Sequence, residues 1–386
     1  MPLRRISVIF TAESAVNMWI YEHKNWPDFT WNAKAIAGKL AEVRHQQGRL
    51  LGRMEGLGFD LRREASLDTL TSDVVKSSAI EGETLNPEEV RSSIARRLGL
   101  DIAGLIPASR DVEGIVEMML DATQKFSKPL TKDRLFDWHA ALFPTGRSGM
   151  HKITVGGWRT EEAGAMQVVS GAMGKEKIHF EAPNAKLLEK EMKVFLTWFE
   201  KKSDLDSVLK AGIAHLWFVT IHPFEDGNGR IARAIGDMAL ARADGTADRF
   251  YSLSAQIERE RKAYYDHLER QQRSEPDITD WLSWFLDCLG HAIANADSTL
   301  SNVLFKAELW KKINQSPVND RQRNVINRML EDGFEGFINT SKYAKLGKCS
   351  NDTALRDIQD LVARGIFLQN EGGGRNTSYR LPDSAS

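Results

Sequence analysis

The sequence predicts a mainly α protein: a helical extension, a helical core crossed by one β-hairpin flap, and a C-terminal winged helix-turn-helix. Three observations carry this. Apolar residues recur at helical spacing through most of residues 1–300; glycines break that pattern only over 144–183; and the tail reads as three helices followed by a hairpin.

Residues 1–30 read as extended or irregular, with a Trp-rich stretch from Trp19 to Trp31. From Asn32 to Gly56, the side chains of Ile36, Leu40, Val43, Leu50, Leu51 and Met54 fall on one helical face, and Gly56 and Gly58 end it. A second helix is expected over Arg62–Ser78, turning Leu67, Leu70, Val74 and Val75 inward. Asn86 caps a third, which opens at Pro87. Val112–Phe126 and Lys132–Phe143 follow, the latter capped by Thr131. Short runs at Met166–Ser170 and Lys177–Phe180 form the flap. Helices resume at Ala185–Lys202, Ser207–Ile221, Arg230–Ala243, Ser254–Gln272 and Thr279–Ile313. In the tail, Val318–Glu331, Thr340–Leu346 and Asp352–Arg364 precede a hairpin built from Ile366–Gln369, a turn at Asn370–Gly374, and Thr377–Leu381. These elements group into an extension over 1–100, a core over 101–300 and a terminal domain over 301–386.

Composition narrows the function classes. At 386 residues, 42% hydrophobic and 27% charged, the chain is long enough for two or three cores without disulfide or metal support. Lys+Arg (52) and Asp+Glu (53) nearly cancel, so no overall field points to nucleic acid or membrane. Cys288 and Cys349 lie far apart and read as reduced thiols. Arg4 and Arg5 precede the apolar run Ile6–Phe10, which is too short for a signal peptide, and no stretch is long enough to cross a bilayer. A cytoplasmic protein with no membrane partner is expected.

The chemistry concentrates in twelve residues, His222-Pro-Phe-Glu-Asp-Gly-Asn-Gly-Arg-Ile-Ala-Arg233. Gly227 and Gly229 let backbone N–H groups converge on an anion, and the helix they open adds partial positive charge there. Arg230 and Arg233, one turn apart, reach a common polyphosphate. Asp226 is a hard oxygen ligand suited to Mg²⁺, and His222 titrates near neutrality at the mouth of the loop. Neither a P-loop nor a Rossmann fingerprint is present.

This stretch matches HPFx[D/E]GNGRxxR, the signature of the Fic family, at every specified position, and the chain resembles that family. The resemblance implies that His222 is the base for a target hydroxyl and that Phe224 anchors the loop. It implies that Asp226 binds Mg²⁺, that Gly227, Asn228 and Gly229 hold the α-phosphate, and that Arg230 and Arg233 hold the outer phosphates of ATP. Upstream, Ser77-Ser-Ala-Ile-Glu81-Gly82 resembles the inhibitory motif [S/T]xxxE[G/N] of the same family. By that resemblance Glu81 pairs with Arg233 and denies it to the γ-phosphate. The start of the chain, to about Leu98, resembles the domain that precedes Fic cores of this type. Met166–Pro183 falls where the family places a flap that aligns target segments, and Tyr265, beside Tyr264, where it closes over adenine.

The expected activity is AMP transfer from ATP to a Ser, Thr or Tyr hydroxyl of an unidentified protein target, the chain itself included. Removal of AMP from modified proteins, and a nucleotide-sensing DNA-binding regulator, remain open beside it. In a winged helix, Ser350–Arg364 would be the recognition helix, with Lys345, Lys348, Arg356, Arg364 and Arg375 available to phosphate. Acidic residues Asp352, Asp357 and Asp360 dilute that charge. A homodimer could tether the inhibitory helix. Of the remaining histidines, His139 and His215 read as boundary residues on helices, and His179 as part of the flap surface.

Overall fold

A computed structural model describes residues 18–100, 105–170, 177–314, 318–330, 334, 336–370 and 377–382. Among them, fourteen α-helices carry the fold and the strands form three two-stranded antiparallel pairs, with isolated bridges at Thr30–Asp277 and Ile338–Tyr379. The described residues form two compact units, divided between Ala296 and Asp297.

In the first unit, a 3-10 turn at Ile20–Glu22 is followed by α1 (Ala33–Glu55), α2 (Phe59–Ile80) and α3 (Pro87–Arg97). Asn32 caps α1 and Asn86 caps α3, each accepting a backbone N–H from the first turn. Next come α4 (Arg110–Gln124) and α5 (Lys132–Leu142), capped by Ser109 and Thr131. A short ladder pairs β1 (Arg147–Ser148) with β2 (His151–Lys152), which no sequence pattern announced. The flap pairs β3 (Gln167–Ser170) with β4 (Lys177–Glu181), with a bulge between Val168 and Val169. Phe180 roots it, in T-shaped contact with Trp19 and Tyr21, while Val168, Val169 and Ile178 are exposed. His179 and Arg273 tie β4 to the body: Nδ1 of His179 lies 2.6 Å from Glu269, and Arg273 donates to the Ile178 carbonyl.

The centre is the pair α7 (Ser207–Ile221) and α8 (Asn228–Asp244), reached after α6 (Leu188–Glu200). α7 is buried on nearly every side, as its mostly apolar sequence requires, and α8 packs along it. Helix α4 flanks α8, and α2 packs on α9 (Leu253–Arg259) and touches α8 directly. The single helix expected over Ser254–Gln272 is two, because the chain turns at Glu260 (φ −102, ψ 24) before α10 (Arg261–Gln272). Helix α2 also starts three residues earlier than the sequence suggested and runs to Ile80, just before Glu81. Helix α11 spans Thr279–Asn314, and Trp281 at its start donates to the Gly212 carbonyl inside the core.

The second unit contains α12 (Asp320–Leu330), α13 (Thr340–Leu346), α14 (Asn351–Ala363) and the pair β5 (Leu368–Gln369) and β6 (Tyr379–Arg380). Its core is Val325, Ile326, Ile338, Tyr343, Ile358, Leu361 and Phe367. The turn expected at Asn370–Gly374 lies mostly outside the described residues, as do Arg375 and the N-terminal run Ile6–Phe10. Cys288 is buried, Cys349 partly so, and neither is bridged. Among the described residues no helix is long and apolar enough to cross a membrane.

Candidate functional site

The loop between α7 and α8 is built by its own residues. α7 ends at His222 in the left-handed conformation (φ 51, ψ 60), which turns the chain sharply back on itself. Phe224 is fully buried, stacked on the His139 ring at 4.2 Å and tilted against Trp158. Asn228 closes the loop from the far side. Its Oδ1 accepts the Phe224 N–H at 3.0 Å and its Nδ2 donates to the Phe224 carbonyl at 2.8 Å. The Asn228 side chain is therefore spent on loop shape, and only its backbone N–H remains for an anion, a narrower part than the motif suggested.

α8 begins with Gly227 as N-cap at φ 80, without a side-chain cap, so its first N–H groups point into the loop unpaired within the helix. A Cβ at Gly227 would lie 2.9 Å from the Phe143 ring, which is why the position excludes larger residues. A Cβ at Gly229 would lie 2.1 Å from Oε1 of Glu81. The Glu81 carboxylate thus rests directly over the start of α8.

His222 is held ready for one proton role. Its Nδ1 lies 3.1 Å from the Val219 carbonyl, which can only accept, so Nδ1 carries the hydrogen and Nε2 keeps its lone pair. Burial pushes its pKa down to about 4, the Val219 bond opposing and Arg159 adding to the shift. The ring is therefore neutral at pH 7. Arg159 donates through Nε to the His222 carbonyl at 2.8 Å, and its own backbone N–H to the Pro223 carbonyl at 2.9 Å. It is a buried clamp on the loop that the sequence did not single out.

Asp226 accepts from the Gly227 N–H at 2.6 Å and from Ser148 Oγ of β1. Its carbonyl meets Nε2 of His139 at 3.2 Å. His139 is fully buried, held to a pKa of about 4 by burial, and braces the loop through Asp226 and Phe224. His215 is likewise interior, bonded to Tyr264 at 2.9 Å, and its pKa falls to about 3 on burial. Both are core residues and not boundary ones.

The arginines meet the end of α2. Arg233 donates to Ser77 Oγ at 2.8 Å, to the Ser77 carbonyl at 2.9 Å and to Glu81 at 2.7 Å. Burial is the largest influence and works to lower its pKa, but Glu81, with Tyr264 and Tyr265 adding to it, raises it overall, so the guanidinium stays charged. Arg230 donates to Glu83 at 2.7 Å, a second carboxylate on the same turn that the sequence reading passed over. Nε of Arg230 and NH1 of Arg233 are buried with no partner. Gly82 takes φ 85, so the motif's glycine serves the turn. Tyr265 is partly exposed and donates to the Ile80 carbonyl at 3.2 Å, one residue before Glu81. The structure therefore brings His222, Asp226, Gly229, Arg230, Arg233, Ser77 and Glu81 into one locality, and ties Tyr265 to its edge. In the tail, Arg364 is paired with Asp360, and Asp357 with Arg321.

Residues 129–240, which hold this loop and its braces, match the Fic/DOC family. Residues 19–100 match a domain of unknown function, DUF4172. The chain is 26% identical over 173 residues to the protein adenylyltransferase fic-1 of Caenorhabditis elegans, covering 44% of this chain and 31% of that one. It is 24% identical over 230 residues to the protein adenylyltransferase Fic of Nematostella vectensis, covering 57% of this chain and 47% of that one. It thus spans less than half the length of either relative. A crystal structure of a Fic family protein from Desulfovibrio desulfuricans G20 shares the fold, with a TM-score of 0.51 and 22% identity over 91% of this chain and 97% of that one.

Proposed function

We propose that the chain is an autoinhibited protein adenylyltransferase, moving AMP from ATP to a protein hydroxyl, its own among them. One observation carries the reading. Two buried guanidiniums one turn apart, each with an unpartnered N–H, flank an uncapped helix start, and the neutral His222 terminates the helix before it. Buried cationic donors without partners are costly, and a polyphosphate supplies the oxygens they lack.

In this reaction the target hydroxyl oxygen attacks the α-phosphorus while Nε2 of His222 takes its proton. The new P–O bond forms as the bond to the β-phosphate bridge breaks, and pyrophosphate leaves with the released electron pair. Backbone N–H groups at Asn228 and Gly229 hold the α-phosphate, and Arg230 and Arg233 hold the outer ones. Asp226 suits Mg²⁺: its carboxylate, a hard oxygen donor oriented by the Gly227 N–H and the Ser148 hydroxyl, would hold the ion. The ion would neutralise charge shared by the α- and β-phosphates. Positioning and charge neutralisation supply most of the acceleration.

Glu81 supports the inhibited reading, because it occupies both Arg233 and the space over Gly229. The test is to incubate the Glu81→Gly variant with Mg²⁺ and ATP labelled at either the α- or the γ-phosphate. Protein labelled from α only supports AMP transfer. Label from γ only would replace it with phosphoryl transfer.

A further inference from the structure

Glu83 is placed by the same turn as Glu81. Gly82 donates to the Ala79 carbonyl and Glu83 to the Ser78 carbonyl, each at 3.0 Å, with Gly82 at φ 85. This pair of bonds closes the end of α2 and leaves Glu81 as its C-cap, with Glu83 two beyond. One rigid turn thus presents two carboxylates to two arginines spaced one turn apart on α8. Glu81 lies 2.7 Å from Arg233, and Glu83 lies 2.7 Å from Arg230.

The two partners of the second pair differ in freedom. The Arg230 side chain is 4% exposed and packs over the Phe143 ring at 5.2 Å, so it is fixed in place. The Glu83 side chain is 47% exposed, so it can swing into water. Nε of Arg230 stays unpartnered beside it, so one carboxylate does not satisfy the site.

We propose that Glu83 is a second, separable gate on the nucleotide site, holding Arg230 as Glu81 holds Arg233, so that a triphosphate must displace both carboxylates. The inference rests on the adenylyltransferase reading of the site. The gates divide the work. Glu81 covers the nest over Gly229 and so governs how the α-phosphate seats, whereas Glu83 only competes for a phosphate arginine and so governs affinity. Removing Glu81 alone leaves ATP binding against a standing ion pair.

The experiment uses the full chain as wild type, Glu81→Gly, Glu83→Gln, the double variant, and Glu88→Gln. The last is an exposed acid in the first turn of α3 whose loss changes net charge equally. Calorimetric titration with Mg·ATP and incorporation of α-label are both read, with melting curves confirming the fold. Glu83→Gln is expected to tighten ATP binding ~3–10-fold, as release of a half-exposed ion pair allows, with little gain in label. Glu88→Gln should change binding less than about twofold, within the range of a screened surface charge. The double variant should bind and label more than Glu81→Gly. If Glu81→Gly binds and labels but Glu83→Gln matches Glu88→Gln, the second gate is wrong while the site reading stands. If no form binds ATP, the site reading fails and the gate with it.

Discussion

Glu81 and Arg233 form a 2.7 Å ion pair in which the arginine side chain is 1% exposed and the carboxylate fills the space over Gly229. A carboxylate therefore stands where the fold offers its helix N-terminus to an anion. Because Glu81 is held by backbone geometry, the proposed block depends on the turn as much as on the charge.

Gly82→Ala tests that dependence. No atom lies within 4 Å of the added Cβ, but φ at this position is 85, so the cost is backbone strain of ~1–2 kcal/mol. The melting temperature should fall by a few degrees, and labelling from α-labelled ATP should rise between wild type and Glu81→Gly. A lowered melting temperature with wild-type labelling would show that the turn does not set the block.

Asn228→Ala removes both bonds to the Phe224 backbone and leaves a buried N–H and carbonyl unpaired. Such losses cost ~1–3 kcal/mol for each stranded group. Thermal melts should show this loss, and ATP affinity should fall in a Glu81→Gly background because the loop no longer holds its shape. Unchanged stability would mean that the loop is carried by Phe224 alone.

Much of this was legible beforehand, for physical reasons. α7 could be placed from its sequence because a mostly apolar run is bounded by the Asp206 cap and by Pro223. The break at Glu260 was not, since neither Gly nor Pro marks it and the flanking residues favour helix. Strands β1 and β2 are two residues each, too short for an alternating pattern. In the site, residues 222–233 were readable because one loop carries them. Arg159, His139 and Ser148 come from separate segments, and nothing in a lone Arg, His or Ser says which loop it will brace. Glu83 had a faint signal, an acid repeating two residues after Glu81.

Arg159→Lys keeps the charge but loses the Nε bond to the His222 carbonyl. Small misplacement of a base costs ~10–100-fold in rate. In a Glu81→Gly background, kcat should fall by roughly that factor while the Kd for ATP stays the same. A changed Kd with kcat intact would assign Arg159 to nucleotide binding.

The pH profile follows from His222. Its folded pKa of about 4 lies below the ordinary value, and a base works above its pKa. For Glu81→Gly, kcat/KM should stay flat from pH 8 to pH 5 on this account. Glu81 raises the His222 pKa, so its removal moves the acid limb no higher. A limb near pH 6.5 would show that the ring is solvated during reaction.

The central claim is that His222 serves as the base for AMP transfer and that Glu81 restrains the reaction. Incorporation of α-labelled ATP with Mg²⁺, measured for wild type, Glu81→Gly and Glu81→Gly/His222→Ala, tests both parts at once. The account predicts weak label in wild type, strong label in the single variant and none in the double. Absence of label in every form, with ATP binding demonstrated in the single variant, would contradict it.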